Sequence, residues 1–398
     1  MKSSRHEFDP NGDVELVLKS PNTQELIPLM AFWQLLRIER KCMSSGLESW
    51  LPPNQPKKTQ PVAVAQRGAA ASVLGPTPPV PGAATPSPTK KTATATALPE
   101  KLIEGTNVPP VEIRMQLSSR HLILASPFFR KMLGGPWQEG TSGSVKLREI
   151  TASGWDEEAL VIVLDAIHGH HRDVPKSLDL ETLAKIAVIV DYYGCTEAME
   201  PYVRPWILDE HKTLTQFCGP DCLLWLCVSW VFSQPRIFEA MSELIVKHTE
   251  GPIDVPNLPI GEILEEIEAK RIDLIDQILA DLEIHCDKLH CEKAGCRWEC
   301  STMLLGSIMK GRHTLAKLQP PVTRPYHGTG HSLERVLSIV AGFREPMWST
   351  FDEQLLRKTP HNCSVRTLLQ PSIQKFQEGM RGLNLEDFGR TGVSDGGP

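Results

Sequence analysis

The sequence predicts an α+β fold in which a small sheet with packed helices is followed by an all-helical C-terminal domain. Two stretches, 14–18 and 111–117, have an apolar residue at every second position, the period of a β-strand with one buried face. Capped apolar runs follow the second stretch, and beyond about residue 210 the chain consists of helical patterns separated by proline and glycine. The 398 residues are enough for two domains with cores of ordinary size.

Composition and charge narrow the class of protein. A formal net charge of -6, with 41% hydrophobic residues, gives no overall electrostatic reason to expect binding to nucleic acid or to a membrane. The N-terminus lacks the apolar run of a signal peptide, and the most apolar stretch, 223–232, is about half the length that crosses a bilayer. The ten cysteines are then expected as reduced thiols or metal ligands, in a nuclear or cytoplasmic protein.

The first predicted strand lies within 8–20, where Val14, Leu16 and Leu18 share one face. Residues 30–108 are predicted as a mostly disordered insertion rich in Pro, Ala and Thr, because 51–99 contains no acidic and no aromatic residue. The insertion is either genuine or an artefact of the gene model. Its beginning, Met30 to Met43, is a helix-like apolar patch with no obvious place in the sheet.

The second predicted strand, 111–117, leads into two short helices. Ser118 or Ser119 is expected to cap the first helix. Ser126, followed by proline, is expected to cap the second helix, which a glycine pair beginning at Gly134 ends. The stretch therefore predicts the order strand, helix, helix.

A third short strand is expected from Ser144, and three helices follow it. The first begins near Asp156 and is apolar from 159 to 167. The second has Ser177 or Asp179 as its cap and Gly194 as its stop, and a third is expected through 199–208.

This order of elements resembles a BTB/POZ domain, and most closely the BTB proteins of filamentous fungi. The residues that carry the resemblance are “GDVELVLKS”, “VEIRMQLSSRHLILASPFFRKML” and “LETLAKIAVIVDYYGC”, with helical C-terminal phrases in “LLWLCVSWVFSQPRIFEA”, “CRWECSTMLLG” and “GLNLEDF”. The resemblance implies a first BTB strand in 8–20, the main part of the domain in 109–210, a helical domain in 211–390 and a flexible tail in 391–398.

The resemblance also implies a function without catalysis. BTB domains commonly self-associate as homodimers, and some are adaptors that deliver substrates to cullin-based ubiquitin ligases. Residues 137–139, Trp-Gln-Glu, are similar to the hydrophobic-x-acidic motif of cullin-binding BTB domains. The candidate protein-binding residues are Trp137, Glu139, Phe128, Phe129 and Met132. The alternative is a nuclear transcriptional or chromatin regulator that acts through BTB oligomerisation.

Metal binding is a minor alternative, as a zinc-stabilised helical binding module. One segment contains several residues of the types that bind zinc: His285, Cys286, His290, Cys291, Cys296 and Cys300. Successive cysteines fall five, five and four residues apart, without the second C-x-x-C pair of common zinc sites, so packing of the thiols is the favoured interpretation. His168, His170 and His171 lie at a predicted helix end, where an imidazolium ion suits the helix dipole better than a metal does.

Catalytic motifs do not occur in the sequence. It contains no G-x-S-x-G, no G-x-x-x-x-G-K-[ST] and no H-E-x-x-H, so neither an enzyme nor a bound cofactor is expected. Zinc-finger spacing is also missing, which argues against a nucleic-acid partner. Apolar residues recur near a 3.6-residue period from 260 to 282, which predicts a helix of about thirty residues and roughly 45 Å. The covered face of this helix either packs within its own domain or forms a groove for a partner.

Overall fold

Residues 4–48, 111–134, 147–210, 214–347, 349–352, 357–360 and 362–389 are described by the computed structural model. In these ranges the chain is mixed α+β and mostly helical, with one four-stranded sheet, one two-stranded hairpin and twelve α-helices. They belong to one compact unit, and the sheet and the helices share one hydrophobic core.

The four-stranded sheet has the order β1-β3-β2-β4. Its strands are β1 (Ser4–Glu7), β2 (Val14–Lys19), β3 (Glu112–Leu117) and β4 (Arg148–Ser153). The central pair, β2 and β3, is antiparallel, so the two predicted strands pair although more than ninety residues separate them in the chain. Strand β4 runs parallel to β2, and β1 runs parallel to β3.

Strand positions agree with the alternation in the sequence, with two differences. The strand predicted in 8–20 is the second in the chain, because β1 precedes it. The four residues of β1, Ser-Arg-His-Glu, have no apolar period that could have revealed a strand. The strand predicted from Ser144 begins at Arg148 in the structure, and residues 144–146 lie outside the described ranges.

Five helices follow β3 in the chain, two of them before β4 and three after it. They are α2 (Ser119–Ala125), α3 (Pro127–Leu133), α4 (Glu157–His168), α5 (Leu180–Tyr193) and α6 (Thr196–Glu210). Two predicted caps are confirmed: Ser126 and Asp179 each accept a hydrogen bond from the backbone N–H three residues later. Asp156, near which the sequence predicts that a helix begins, is the cap of α4 and accepts from the Ala159 N–H at 3.1 Å. The cap of α2 differs, because Ser118 makes no side-chain capping bond and the Asp13 carboxylate instead accepts from the Ser119 N–H at 2.8 Å.

A helix occupies the beginning of the segment predicted as an insertion. Helix α1 (Leu29–Glu48) buries Leu35 and Ile38 in the common core and packs against the helix Pro220–Val231, so this apolar patch has a place in the fold. Residues 30–48, the first nineteen of the range predicted as a mostly disordered insertion, are thus helical. The rest of that range, 49–108, lies outside the described residues.

The remaining described residues form helices and one hairpin, joined by loops. Its elements are α7 (Pro220–Val231), α8 (Pro235–His248), α9 (Gly261–His290), α10 (Trp298–Ala316), α11 (Leu333–Ala341), β5 (Ser349–Asp352), β6 (Arg357–Pro360) and α12 (Val365–Gly379). The antiparallel pair β5-β6 makes the prediction of an all-helical C-terminal domain wrong at this point. Four-residue strands are too short for a period of two to appear in the sequence. The predicted domain boundary at 210 is followed by residues 211–213, which lie outside the described ranges. The predicted tail, 391–398, also lies outside them.

Helix α9 has the thirty residues that its periodicity predicts. Helices α8, α10, α11 and α12 pack around it, and its apolar residues join the common core. Packing within the protein thus accounts for its buried face. Among the described helices, none combines the length and the apolar composition needed to cross a membrane.

Candidate functional site

Two consecutive aromatic pairs meet where α3 begins and α5 ends. Neighbouring residues on an α-helix point about 100° apart, so in each pair one ring faces the core and the other faces solvent. Phe129 and Tyr193 are buried and stack with their ring centroids 4.7 Å apart. Phe128 and Tyr192 remain 37% and 56% exposed, with their ring centroids 5.4 Å apart.

Trp155 extends this exposed pair toward the sheet. Its ring lies 5.3 Å from the ring of Tyr192, and its indole N–H donates to the Tyr193 hydroxyl at 3.1 Å. Burial raises the pKa of Tyr193 to about 12, so this hydroxyl stays protonated at neutral pH. Phe128, Trp155 and Tyr192 together form a surface that we call the aromatic patch.

Hydrogen bonds and backbone geometry hold the aromatic patch in place. The Ser126 hydroxyl donates to the Tyr193 carbonyl at 2.5 Å and accepts from the Phe129 N–H at 3.1 Å. Gly194 ends α5 with a φ of 64°, a left-handed conformation that glycine adopts without strain. The exposed rings are therefore attached to helix ends that buried hydrogen bonds and a glycine turn hold in place.

A cleft of about 490 Å³ borders the aromatic patch. It is lined by Trp155 and Tyr192, by the segment 23–25 and by the loop 256–259 before α9. Glu25 is exposed at this cleft. Rigid aromatic surface beside a partly polar cleft with a carboxylate suits the binding of an apolar anchor together with a cationic or hydrogen-bonding group.

The structure places the predicted protein-binding residues in three different environments. Phe128 belongs to the aromatic patch, Phe129 lies in the core, and Met132 is partly buried against that core. Trp137 and Glu139 lie outside the described residues. Sequence reasoning missed Trp155 and Tyr192 as members of the surface, although both occur in conspicuous aromatic phrases, Gly-Trp-Asp and Tyr-Tyr-Gly.

The three histidines at the end of α4 have partners within the protein. His168 is buried, and its Nε2 accepts a hydrogen bond from the Ser118 N–H at 3.1 Å. Its Nδ1 donates to the Leu164 carbonyl oxygen at 2.8 Å, which is the arrangement of a neutral imidazole. Burial lowers the pKa of His168 to about 4. The other two bond to side chains, His170 to Asp165 and His171 to Tyr202.

The cysteine-rich segment contributes only two of its six candidate metal ligands to one group. Cys296 and Cys300 lie together with Cys363, a residue that the sequence reasoning did not consider. Their three sulfur atoms are all within 4.8 Å of one another. Burial, followed by the neighbouring Cys300 and Cys296, raises the pKa of Cys363 to about 11. We call this group the cysteine cluster.

The other members of the segment have other surroundings. His285 lies 3.2 Å from the Ser372 hydroxyl, and the Cys286 sulfur accepts from Arg312 at 3.9 Å. Cys291 is exposed. These residues are close in the sequence but do not share one site. Cys363, which follows Cys300 by 63 residues, is the third member of the cysteine cluster.

No family model matches the chain, and no curated protein matches it.

Proposed function

We propose that this chain is a non-enzymatic protein-interaction protein that self-associates and recruits a partner through a domain of the BTB/POZ type. The aromatic patch is the surface that contacts the recruited partner. The observation that carries the proposal is the exposure of Phe128 and Tyr192 directly above the buried stack of Phe129 and Tyr193. A cullin scaffold is the partner that we test first, because the Trp-Gln-Glu sequence follows α3 closely in the chain.

Aromatic side chains supply much of the binding energy in protein interfaces. Tyr and Trp are enriched among the residues whose truncation costs most, because each removes a large area from water and has few rotatable bonds to immobilise. The patch is also preorganised, since Trp155 is hydrogen-bonded to Tyr193 and its ring packs edge-on against Tyr192. A partner that covers these rings would lose little further side-chain entropy on binding.

Strand pairing supports the BTB-type assignment. The resemblance requires the strands on either side of the long segment to pair, and β2 and β3 pair antiparallel over six residues. The two short helices α2 and α3 follow β3, as the resemblance implies. Self-association is the activity that such domains most commonly have, so the proposal includes it separately from partner recruitment.

The test compares a patch variant with a matched surface variant. Phe128→Ala with Tyr192→Ala removes the two most exposed rings of the aromatic patch, while Leu124→Ala removes an apolar side chain that is 79% exposed on α2. Binding of a purified cullin N-terminal domain is measured by calorimetry, and the mass of the free protein by light scattering. We expect the double variant to weaken cullin binding by about tenfold or more while it keeps a dimeric mass. Leu124→Ala should match the wild type in both measurements.

Two results would contradict the proposal separately. A wild-type protein that stays monomeric at high micromolar concentration lacks the proposed self-association. A wild-type protein that binds no cullin, when a known BTB adaptor does so in the same assay, excludes the ligase-adaptor form of the function. Trp137→Ala with Glu139→Ala should also abolish cullin binding without changing the unfolding temperature, since this pair is expected to form the rest of the contact.

A further inference from the structure

The cysteine cluster brings together thiols from two distant parts of the chain. Cys296 lies in the turn between α9 and α10, Cys300 is the third residue of α10, and Cys363 immediately precedes Ser364, which caps α12. Cys300 is buried, Cys363 is half-buried and Cys296 is exposed, so the group lies at the edge of the core where an ion can enter.

Local backbone geometry directs Cys296 toward Cys300. Gly295 has a φ of 88°, and a Cβ atom at this position would lie 3.1 Å from the Ser301 backbone nitrogen. A tight turn of this kind needs glycine, because both the φ angle and the close approach disfavour a side chain. The turn returns the chain onto the first turn of α10, where the positive end of the helix dipole favours a thiolate.

The separations suit a tetrahedral ion with sulfur ligands. Zinc binds thiolate sulfur at about 2.3 Å, which places neighbouring sulfurs of a tetrahedron about 3.8 Å apart. The sulfurs here lie within 4.8 Å of one another, so at most about 1 Å of contraction would bring them to that spacing. Three residues separate Cys296 from Cys300, a spacing within the C-x2-4-C range of zinc sites.

We propose that Cys296, Cys300 and Cys363 bind a zinc ion that joins the first turn of α10 to the start of α12. Each thiol releases its proton to solvent as its sulfur coordinates the metal, and no oxidation or reduction is involved. Three thiolates leave one tetrahedral position for a fourth ligand. The site is independent of the aromatic patch and of any BTB-type function.

The first test uses the full-length wild-type protein and needs no substitution. Cys291 and Cys296 are both exposed and lie five residues apart, and trypsin cleavage after Lys293 separates them into different peptides. The zinc-loaded protein is treated with iodoacetamide, with and without a chelator, and alkylation is followed by mass spectrometry. We expect Cys296 to react slowly until the chelator is added, whereas Cys291 should react at the same rate in both conditions.

The second test counts the metal. Elemental analysis after dialysis should find about one zinc per wild-type chain, and cobalt substitution should produce sulfur-to-cobalt charge-transfer absorption. Cys363→Ser should lower zinc affinity by about 100-fold or more, because it removes a direct ligand. Cys291→Ser is the matched control from the same segment and should retain the metal.

Several outcomes would overturn the proposal. A wild-type protein that takes up no zinc would do so, as would a Cys363→Ser variant that keeps the full zinc content. Equal and chelator-independent alkylation of Cys291 and Cys296 would exclude the site even if a variant failed to fold. A disulfide among the three cysteines in protein purified under a non-oxidising atmosphere would identify the cluster as a redox pair instead.

Discussion

Truncation of Phe129 should destabilise the protein far more than truncation of its neighbour Phe128. Phe129 is 2% exposed and stacks on Tyr193 with centroids 4.7 Å apart, whereas Phe128 is 37% exposed. Replacing a fully buried phenylalanine by alanine typically costs 3–5 kcal/mol, from lost burial and from the cavity that remains, so we expect a loss of about 4 kcal/mol for Phe129→Ala. Part of the Phe128 ring is already in water, so Phe128→Ala should cost roughly 1–2 kcal/mol.

The two substitutions form a matched pair. They remove the same ring from adjacent positions near the start of α3 and change helix propensity equally. Unfolding is followed by circular dichroism during heating and in urea. Because the unfolding entropy is about 2.1 cal/mol/K per residue, each kcal/mol shifts the midpoint of a 398-residue chain by roughly 1–2 °C. Phe129→Ala should therefore lower the midpoint by about 4–8 °C. Equal shifts for the two variants, or a larger shift for Phe128→Ala, would refute the placement of the buried aromatic stack.

Two further predictions concern buried polar groups. His168 is buried as a neutral imidazole, and its pKa is about 4 in the folded protein, against 6.5 for an ordinary histidine. The unfolded chain therefore binds a proton more readily than the folded protein does. The free energy of unfolding should fall as the pH falls from about 6.5 to 4. The full effect on the free energy of unfolding is about 3 kcal/mol. In urea unfolding, His168→Gln should lose less stability between pH 7 and 4.5 than the wild type loses. Plots of stability against pH that run parallel for the two proteins would contradict this prediction. Arg271 is completely buried and donates to Glu268 at 2.8 Å and to the carbonyl oxygens of Gly328 and His331. Arg271→Met leaves a carboxylate and two carbonyls without this donor, so it should lower the free energy of unfolding in urea by about 3–5 kcal/mol. A loss of less than about 1 kcal/mol would show that water replaces the guanidinium.

Local signals in the sequence predicted the regular elements well. The caps at Ser126 and Asp179, and the glycine that ends α5, depend on residues within a few positions of the helix end. The long helix α9 and the strands β2 and β3 follow from periods of 3.6 and 2 that are visible in a short window. Such features are set by backbone hydrogen bonding and by which residues must face a core, so they can be derived without knowing what lies opposite.

Features made by distant contacts could not be derived in this way. Strand β1 is four polar residues that form a strand because β3 offers its edge, and α1 is positioned by the core that its apolar face joins. The same holds for both candidate sites: Phe128, Trp155 and Tyr192 meet across 64 residues, and Cys363 joins Cys300 across 63. A periodic pattern specifies the direction in which a side chain points from its own element, but not the residue that it meets. Only the packing of the elements against one another, which fixes their relative positions in a close-packed core, decided which aromatic rings form a surface and which thiols form a cluster.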